Sequence, residues 1–384
     1  MDPFNSRFIL QEKRWLWIDY DKGISIILVG YAHCFFTLAG YGPNLDSYPI
    51  INNIDVFLYG FRMPLFFIIS GLLVTRSLHK KGLKNYIGDR SNNILYPLFT
   101  WGCIEITLRI INAKFSHAAH PDPVSAFDYL NLIINPRVTG HFWYLNALFC
   151  IGVLYTFLKS KLKLTTVMQV ALGLIFFCAS GYIHMHNLEA GFVTDIFEYY
   201  FFFALGDLIS KIMLNEVNIQ RYTSWKVFLP LFTAFLAVQY VCMVINLKPT
   251  HEGISFVEHK MPYLFLVQAL IGCAVSVSFS FLLQKYKMLT FLRIVGFHSL
   301  YIYCMQIIVM TVARVIFFTM LKITYVPVLF PLVWACGVIL PIFIYNFCLR
   351  YNFWWLYTFK KPQKQVEYLQ QHNIFSLKSA VINN

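Results

Sequence analysis

Ten runs of mostly apolar residues, each about twenty long, follow one another along this 384-residue chain. They lie at roughly 17–40, 54–75, 93–113, 142–158, 164–185, 192–212, 225–246, 261–284, 294–319 and 326–350. A run of that length is what a helix needs to cross the hydrocarbon core of a bilayer. Composition agrees: 58% of residues are hydrophobic and 13% charged, about half the charge of a soluble domain. Aromatic residues reach 18%, as expected of a lipid-facing surface with Trp and Tyr at its interfaces. The fold class expected is therefore an all-α integral membrane bundle of about ten transmembrane helices. A cytoplasmic N-terminal segment (1–16) should precede a transmembrane domain (17–350) and a polar cytoplasmic tail (351–384).

The net charge of +13 would raise the question of nucleic acid in a soluble protein. Here it has a topological explanation instead. With the N-terminus inside, 22 of the 31 Lys and Arg fall on inner segments. Lys114, Arg137, Lys248, Lys260 and Lys322 fall on outer loops, and Lys22, Arg62, Arg109 and Arg314 within helices. That alternation predicts both termini on the cytoplasmic side of a cell inner or plasma membrane, with no nucleic-acid partner. The nine cysteines form no C-x-x-C and sit mostly in apolar runs, which reads as packing, not as disulfides or a metal site. The first apolar run lacks a small-residue cleavage site after it and is expected to stay as a helix. The His-, Pro- and Asp-rich loop at about 114–141 is expected to cover an outer face. The tail after Lys360 is expected to form a short helix.

Ionisable side chains are costly in a membrane and usually face a bundle interior or a wet cavity. The first helix is the most informative. Lys22 and His33 are eleven residues apart, which returns to within about 20° of one helical face and separates them by about 16 Å. Asp19 shares that stripe. An imidazole held in a low-dielectric bundle can act as a general base. A hydrogen-bonded core histidine explains it equally well from the residues alone.

The second helix, running inward, carries Arg62 in its outer half, where it could bind an anion or a developing oxyanion, or snorkel to the interface. Ser70-Gly71 permits close helix approach. Glu105 and Arg109 are spaced to pair with each other on the third helix, a structural role. Arg90 opens that helix at the cytoplasmic face beside Arg76, Lys80, Lys81 and Lys84, a cluster that could dock phosphates or simply obey the positive-inside rule. The aromatics of His141-Phe142-Trp143-Tyr144 suit an interfacial belt. Gln239, Gln268 and Gln306 could line a cavity or bond across helices. Arg314 has Glu198 or Asp207 as candidate partners. Motifs for nucleotide hydrolysis, zinc proteolysis and dinucleotide binding are absent, and no metal is expected. A secondary transporter of a small solute would also suit ten helices with buried charges, although no internal repeat is visible.

Taken in order, several segments resemble the acyltransferase 3 family of membrane O-acyltransferases. The stretch Asp19–His33 resembles its basic residue, ten-residue spacer and histidine. RMPLFFIISGLL from Arg62 resembles its second-helix signature, and Arg90 with Pro97 the start of its third helix. HFWYLNALF from His141 and GFHSLYIYCMQ from Gly296 resemble two later segments. The last ends in Gln306 where the family often has histidine, which leaves His33 to carry the chemistry. The resemblance implies an acyl-CoA co-substrate, most often acetyl-CoA, bound from the cytoplasm. It implies a glycan or glycolipid acceptor whose sugar hydroxyl receives the acyl group, among membrane lipids. His33 would be general base or transient acyl carrier, and Arg62 would stabilise the oxyanion or position the acceptor. Lys22 and Arg90 would hold the CoA, with Asp19, Ser70, Glu105 and Arg109 in support. Some members carry an extra esterase-like domain, and this chain is expected to act without one.

Overall fold

The computed structural model describes residues 4, 6–11, 15–39, 43–115, 124–248, 256–363 and 365–367. Residues 116–123 of the expected outer loop and most of the polar tail after Lys360 lie outside the described residues, while 124–141 of that loop are described. The regular structure of the described residues is helical, with no strand among them.

In chain order the helices are α1 (Ser6–Gln11), α2 (Leu16–Ala39), α3 (Pro49–Phe57), α4 (Arg62–Leu72), α5 (Val74–Arg90) and α6 (Tyr96–Phe115). Then come α7 (Asp128–Ile134), α8 (Trp143–Ser160), α9 (Thr166–Met185), α10 (Phe192–Met213), α11 (Glu216–Tyr222) and α12 (Trp225–Asn246). The last are α13 (Val257–Lys260), α14 (Pro262–Tyr286), α15 (Phe291–Phe297), α16 (Ser299–Arg314) and α17 (Val326–Arg350). Starts follow local chemistry. Thr165, Asn215 and Ser224 cap α9, α11 and α12 by accepting a backbone N–H with the side chain, and proline opens α3 and α14.

Among the described residues, eight helical stretches are long and apolar enough to cross a membrane: Leu16–Ala39, Pro49–Leu72, Val74–Lys114, Thr166–Met185, Trp225–Asn246, Pro262–Tyr286, Ser299–Met320 and Val326–Arg350. The molecule is a polytopic membrane helix bundle. α8 and α10 occupy the other two expected positions but are more polar, α10 because it carries Asp195, Glu198, Asp207 and Lys211.

Contacts divide the chain into two units, Met1–Ser47 with Leu289–Asn384, and Tyr48–Met288. In the first, α2 packs on α15, α16 and α17. The seam with α15 is backbone against backbone. A Cβ on Gly23 would lie 2.1 Å from the Leu292 carbonyl oxygen, and one on Gly296 would lie 1.8 Å from that of Asp19. Such small-residue contacts replace the hydrophobic drive that lipid removes. Trp334 ties α17 to α2 by donating Nε1–H to the Ile27 carbonyl at 3.1 Å.

In the second unit α10 is central, packed by α4, α8 and α9. Gly71 and Gly206 bring α4 and α10 together, with a Cβ on either meeting a backbone oxygen of the other helix at 2.0 and 2.2 Å. The second apolar run is broken between α3 and α4 at Gly60, whose φ of +95° favours glycine. Breaking a membrane helix frees carbonyls that something must satisfy. Gln268 and Gln239 donate to the Tyr59 carbonyl at 3.2 and 3.4 Å, and Gln268 donates to Gln239 at 2.5 Å. The two glutamines therefore bond across helices at a break, one of the two roles expected of them.

Candidate active site

Lys22 and His33 both lie on the unbroken α2 of the first unit, so their spacing becomes about 16 Å along one face. Asp19 is buried, while Lys22 and His33 are half-buried. The Nδ1 of His33 is hydrogen-bonded at 2.7 Å to the side-chain amide nitrogen of Gln306 on α16. Gln306 is fully buried, and its carbonyl oxygen has no hydrogen-bond partner. Tyr303, one turn earlier on α16, sets its ring centroid 6.2 Å from that of His33. The histidine of the expected motif is thus held by Gln306 from another helix of the same unit. In the same unit, buried His298 bonds through Nδ1 to the Ile294 carbonyl at 2.8 Å and lies 3.5 Å from the Asn346 amide. That arrangement closes the junction of α15 and α16, inside what the sequence reads as one span.

In the second unit Arg62 is buried and donates Nη1–H to Asp55 at 2.8 Å. This anchors α4 to α3 across the break, and the Tyr59 ring lies 5.6 Å below the guanidinium. Arg62 is therefore not snorkelling. Arg90 is the last residue of α5, not the start of a helix: α5 continues through a π-helical turn, Ser91–Leu95, into α6. Its Nε–H donates to the Tyr86 hydroxyl at 2.9 Å, beside Gly152 of α8. Ser70 is half-buried next to the Gly71 contact.

The expected Glu105–Arg109 pair does not form. Arg109 donates to the Thr139 carbonyl at 3.1 Å, and Glu105 lies 3.8 Å from His141 Nδ1. Arg109 ties α6 to the turn before α8 and Glu105 faces that same turn, a destination that spacing within one helix cannot reveal. That turn leads into a buried Phe142 and Tyr144, so these aromatics are core and not belt.

Two clusters in this unit were not legible as such. Arg137, expected only as an outer-loop charge, donates to Asp195 at 2.5 Å and Glu198 at 3.4 Å, lies 3.9 Å from Glu258, and covers the Trp143 ring at 4.4 Å. Burial opposes its charge, but Asp195, Glu198 and Glu258 outweigh that and hold its pKa above the ordinary arginine value. Tyr59 and Tyr199 donate to Glu258, Tyr199 at 3.1 Å, and His184 lies 3.2 Å from Glu198. The second cluster centres on Asp207, which accepts from Lys159 at 2.5 Å, Tyr155 at 2.6 Å and Thr166 at 3.0 Å. Glu198 and Asp207, considered as partners for Arg314, are thus engaged within their own unit. Among the described residues no group of His, Cys, Asp and Glu could hold a metal ion.

A half-buried histidine, with an amide on one ring nitrogen and a lysine three turns away on the same face, suits proton or acyl transfer. Comparison with known proteins decides the family. The family model described as an acyltransferase domain, Acyl_transf_3, matches residues 15–358. The chain belongs to the acyltransferase 3 family. The match takes in every segment that carries the resemblance. Two relatives bear the name nodulation protein NolL. That of Sinorhizobium fredii is 29% identical over 204 residues, covering 52% of this chain and 50% of the relative. That of Mesorhizobium japonicum is 24% identical over 302 residues, covering 74% and 71%. The chain thus spans half the length of the first relative. No solved structure matches.

Proposed function

We propose that this acyltransferase 3 family member transfers an acyl group, in the first instance acetyl, from cytoplasmic acyl-CoA to a sugar hydroxyl of an extracytoplasmic or lipid-linked glycan. The observation that carries the reading is His33, half-buried on α2 and bonded at 2.7 Å to Gln306, in a chain matched by the family over 15–358. His33 Nε2 takes the hydroxyl proton, the hydroxyl oxygen bonds to the acyl carbon, and the C–S bond breaks. The departing thiolate then takes the proton from Nε2, and His33 returns to neutral. If His33 is instead a transient acyl carrier, the same nitrogen attacks first. The resemblance gives Lys22 and Arg90 to the donor's phosphates and Arg62 to the oxyanion or the acceptor. Asp19, Ser70, Glu105 and Arg109 support these groups. The chain would sit in the cell inner membrane with ten spans, counting α8 and α10, and both termini cytoplasmic. The charge bias supports this.

The test uses purified protein in detergent with radiolabelled acetyl-CoA and an extract of host lipid-linked glycans. Wild type should label glycan and His33→Ala should not. Equal labelling by both would remove His33 from the mechanism. No labelling by wild type, with no CoA binding, would overturn the acetyl-transfer reading and bring a solute transporter forward.

A further inference from the structure

We propose that Gln306 is a positioning residue that sets the proton arrangement of His33, by presenting its amide carbonyl to Nδ1 whenever the imidazole works. The catalytic part of this rests on the acyl-transfer reading; the tautomer itself does not.

The inference comes from what the contact can and cannot accommodate. At 2.7 Å, the amide nitrogen of Gln306 donates to Nδ1, which puts the imidazole's proton on Nε2. In that state Nε2 cannot take a proton from a hydroxyl. Moreover, once Nε2 does take one, the imidazolium has N–H at both positions and offers no acceptor to the amide. The nitrogen-facing orientation is therefore incompatible with a protonated His33. Turning the amide half a revolution about its last torsion brings Oε1 to Nδ1–H instead. This leaves the lone pair on Nε2 and keeps a hydrogen bond through the imidazolium stage.

The surroundings fit such a turn. Oε1 is buried without a hydrogen-bond partner in the present orientation, so the turn gives up only the amide's bond to Nδ1, which Oε1 then replaces. The oxygen lies towards Gly30, one turn before His33 on α2, and even a Cβ at Gly30 would stand 3.5 Å from it. Glutamine differs from glutamate here in offering donor and acceptor from one planar group without a net charge, and from histidine in not taking up a proton itself. It can therefore match both states of His33 without raising its basicity as a carboxylate would.

The experiment compares wild type with Gln306→Glu and Gln306→Met in the labelled acetyl-CoA assay across pH, and follows ¹⁵N-labelled histidine by NMR on the same full-length proteins in detergent. Gln306→Glu should move the acid limb of kcat upwards by about one pH unit or more, because the carboxylate stabilises the imidazolium. Gln306→Met keeps the side chain's length and should lower kcat about tenfold or more while KM for acetyl-CoA stays within about twofold. In the NMR, Gln306→Glu should raise the pH at which the His33 resonance titrates. An unchanged acid limb and an unchanged His33 titration in Gln306→Glu would overturn the proposal, even if Gln306→Met were less active or less stable. If wild type transfers no label, the acyl-transfer reading fails, while the NMR titration still decides whether Gln306 governs His33.

Discussion

Arg62 donates to Asp55 at 2.8 Å with both side chains about 7% exposed, so the arginine most readily taken for a ligand contact already has a buried counter-charge seven residues earlier. Removing one member of such a pair strands the other in a low dielectric. Asp55→Ala should cost about 3–5 kcal/mol of stability, and Asp55→Leu combined with Arg62→Met should recover much of that. Thermal unfolding in detergent measures both. Equal stability of Asp55→Ala and wild type would mean that Arg62 finds its compensation elsewhere.

Arg137 should be replaceable by neither an apolar residue nor lysine. Arg137→Met leaves Asp195, Glu198 and Glu258 without their cation. The guanidinium is partly exposed, and a loss of about 2 kcal/mol is expected. Arg137→Lys should restore less than half of it, because a single ammonium cannot span several carboxylates and stack on Trp143. Full restoration by lysine would reduce the cluster to simple charge balance.

Two glycines on helices should respond with opposite signs. At Gly71 a Cβ would press on the Phe203 carbonyl oxygen at 2.0 Å, so Gly71→Ala should cost about 3 kcal/mol or more by forcing α4 away from α10. Gly88 on α5 has nothing within 4 Å of an added Cβ, and Gly88→Ala should stabilise by about 0.5–1 kcal/mol through helix propensity. Unfolding midpoints of the two variants, side by side, check the contrast.

On the proposed reading Lys22→Met removes a donor contact but not the base. KM for acetyl-CoA should rise about tenfold with kcat changed much less, the signature of lost ground-state binding. A fall in kcat at unchanged KM would instead place Lys22 in the chemical step.

The helices were legible because membrane spans announce themselves by length and apolarity. α10 was legible by position despite Asp195, Glu198 and Asp207. What the sequence hid were relationships between distant parts of the chain. Gln306 and His33 are 273 residues apart, and nothing local marks the glutamine as the histidine's partner. Helix spacing suggested Glu105 with Arg109, whereas both reach the 139–141 turn on another segment. The break at Gly60 depends on Gln239 and Gln268, which lie 180 and 209 residues beyond Tyr59. Arg137 served the charge count well but gave no hint of the carboxylates that gather on it. The Lys22/His33 spacing was readable for a different reason: both sit on one uninterrupted helix, where sequence distance is spatial distance.

The glycine seam between α2 and α15 has one more implication. Gly23 adjoins Lys22, and Gly296 is ten residues before Gln306, so the closed seam works as a ruler shared by both marks. With only hydrogens facing backbone there is no rotamer to adjust and no soft contact to compress. The two helices can engage or separate, yet cannot creep along each other by an ångström or two. The imidazole's height along α2 is then set relative to α15, and on the proposed reading the acyl donor must come to it.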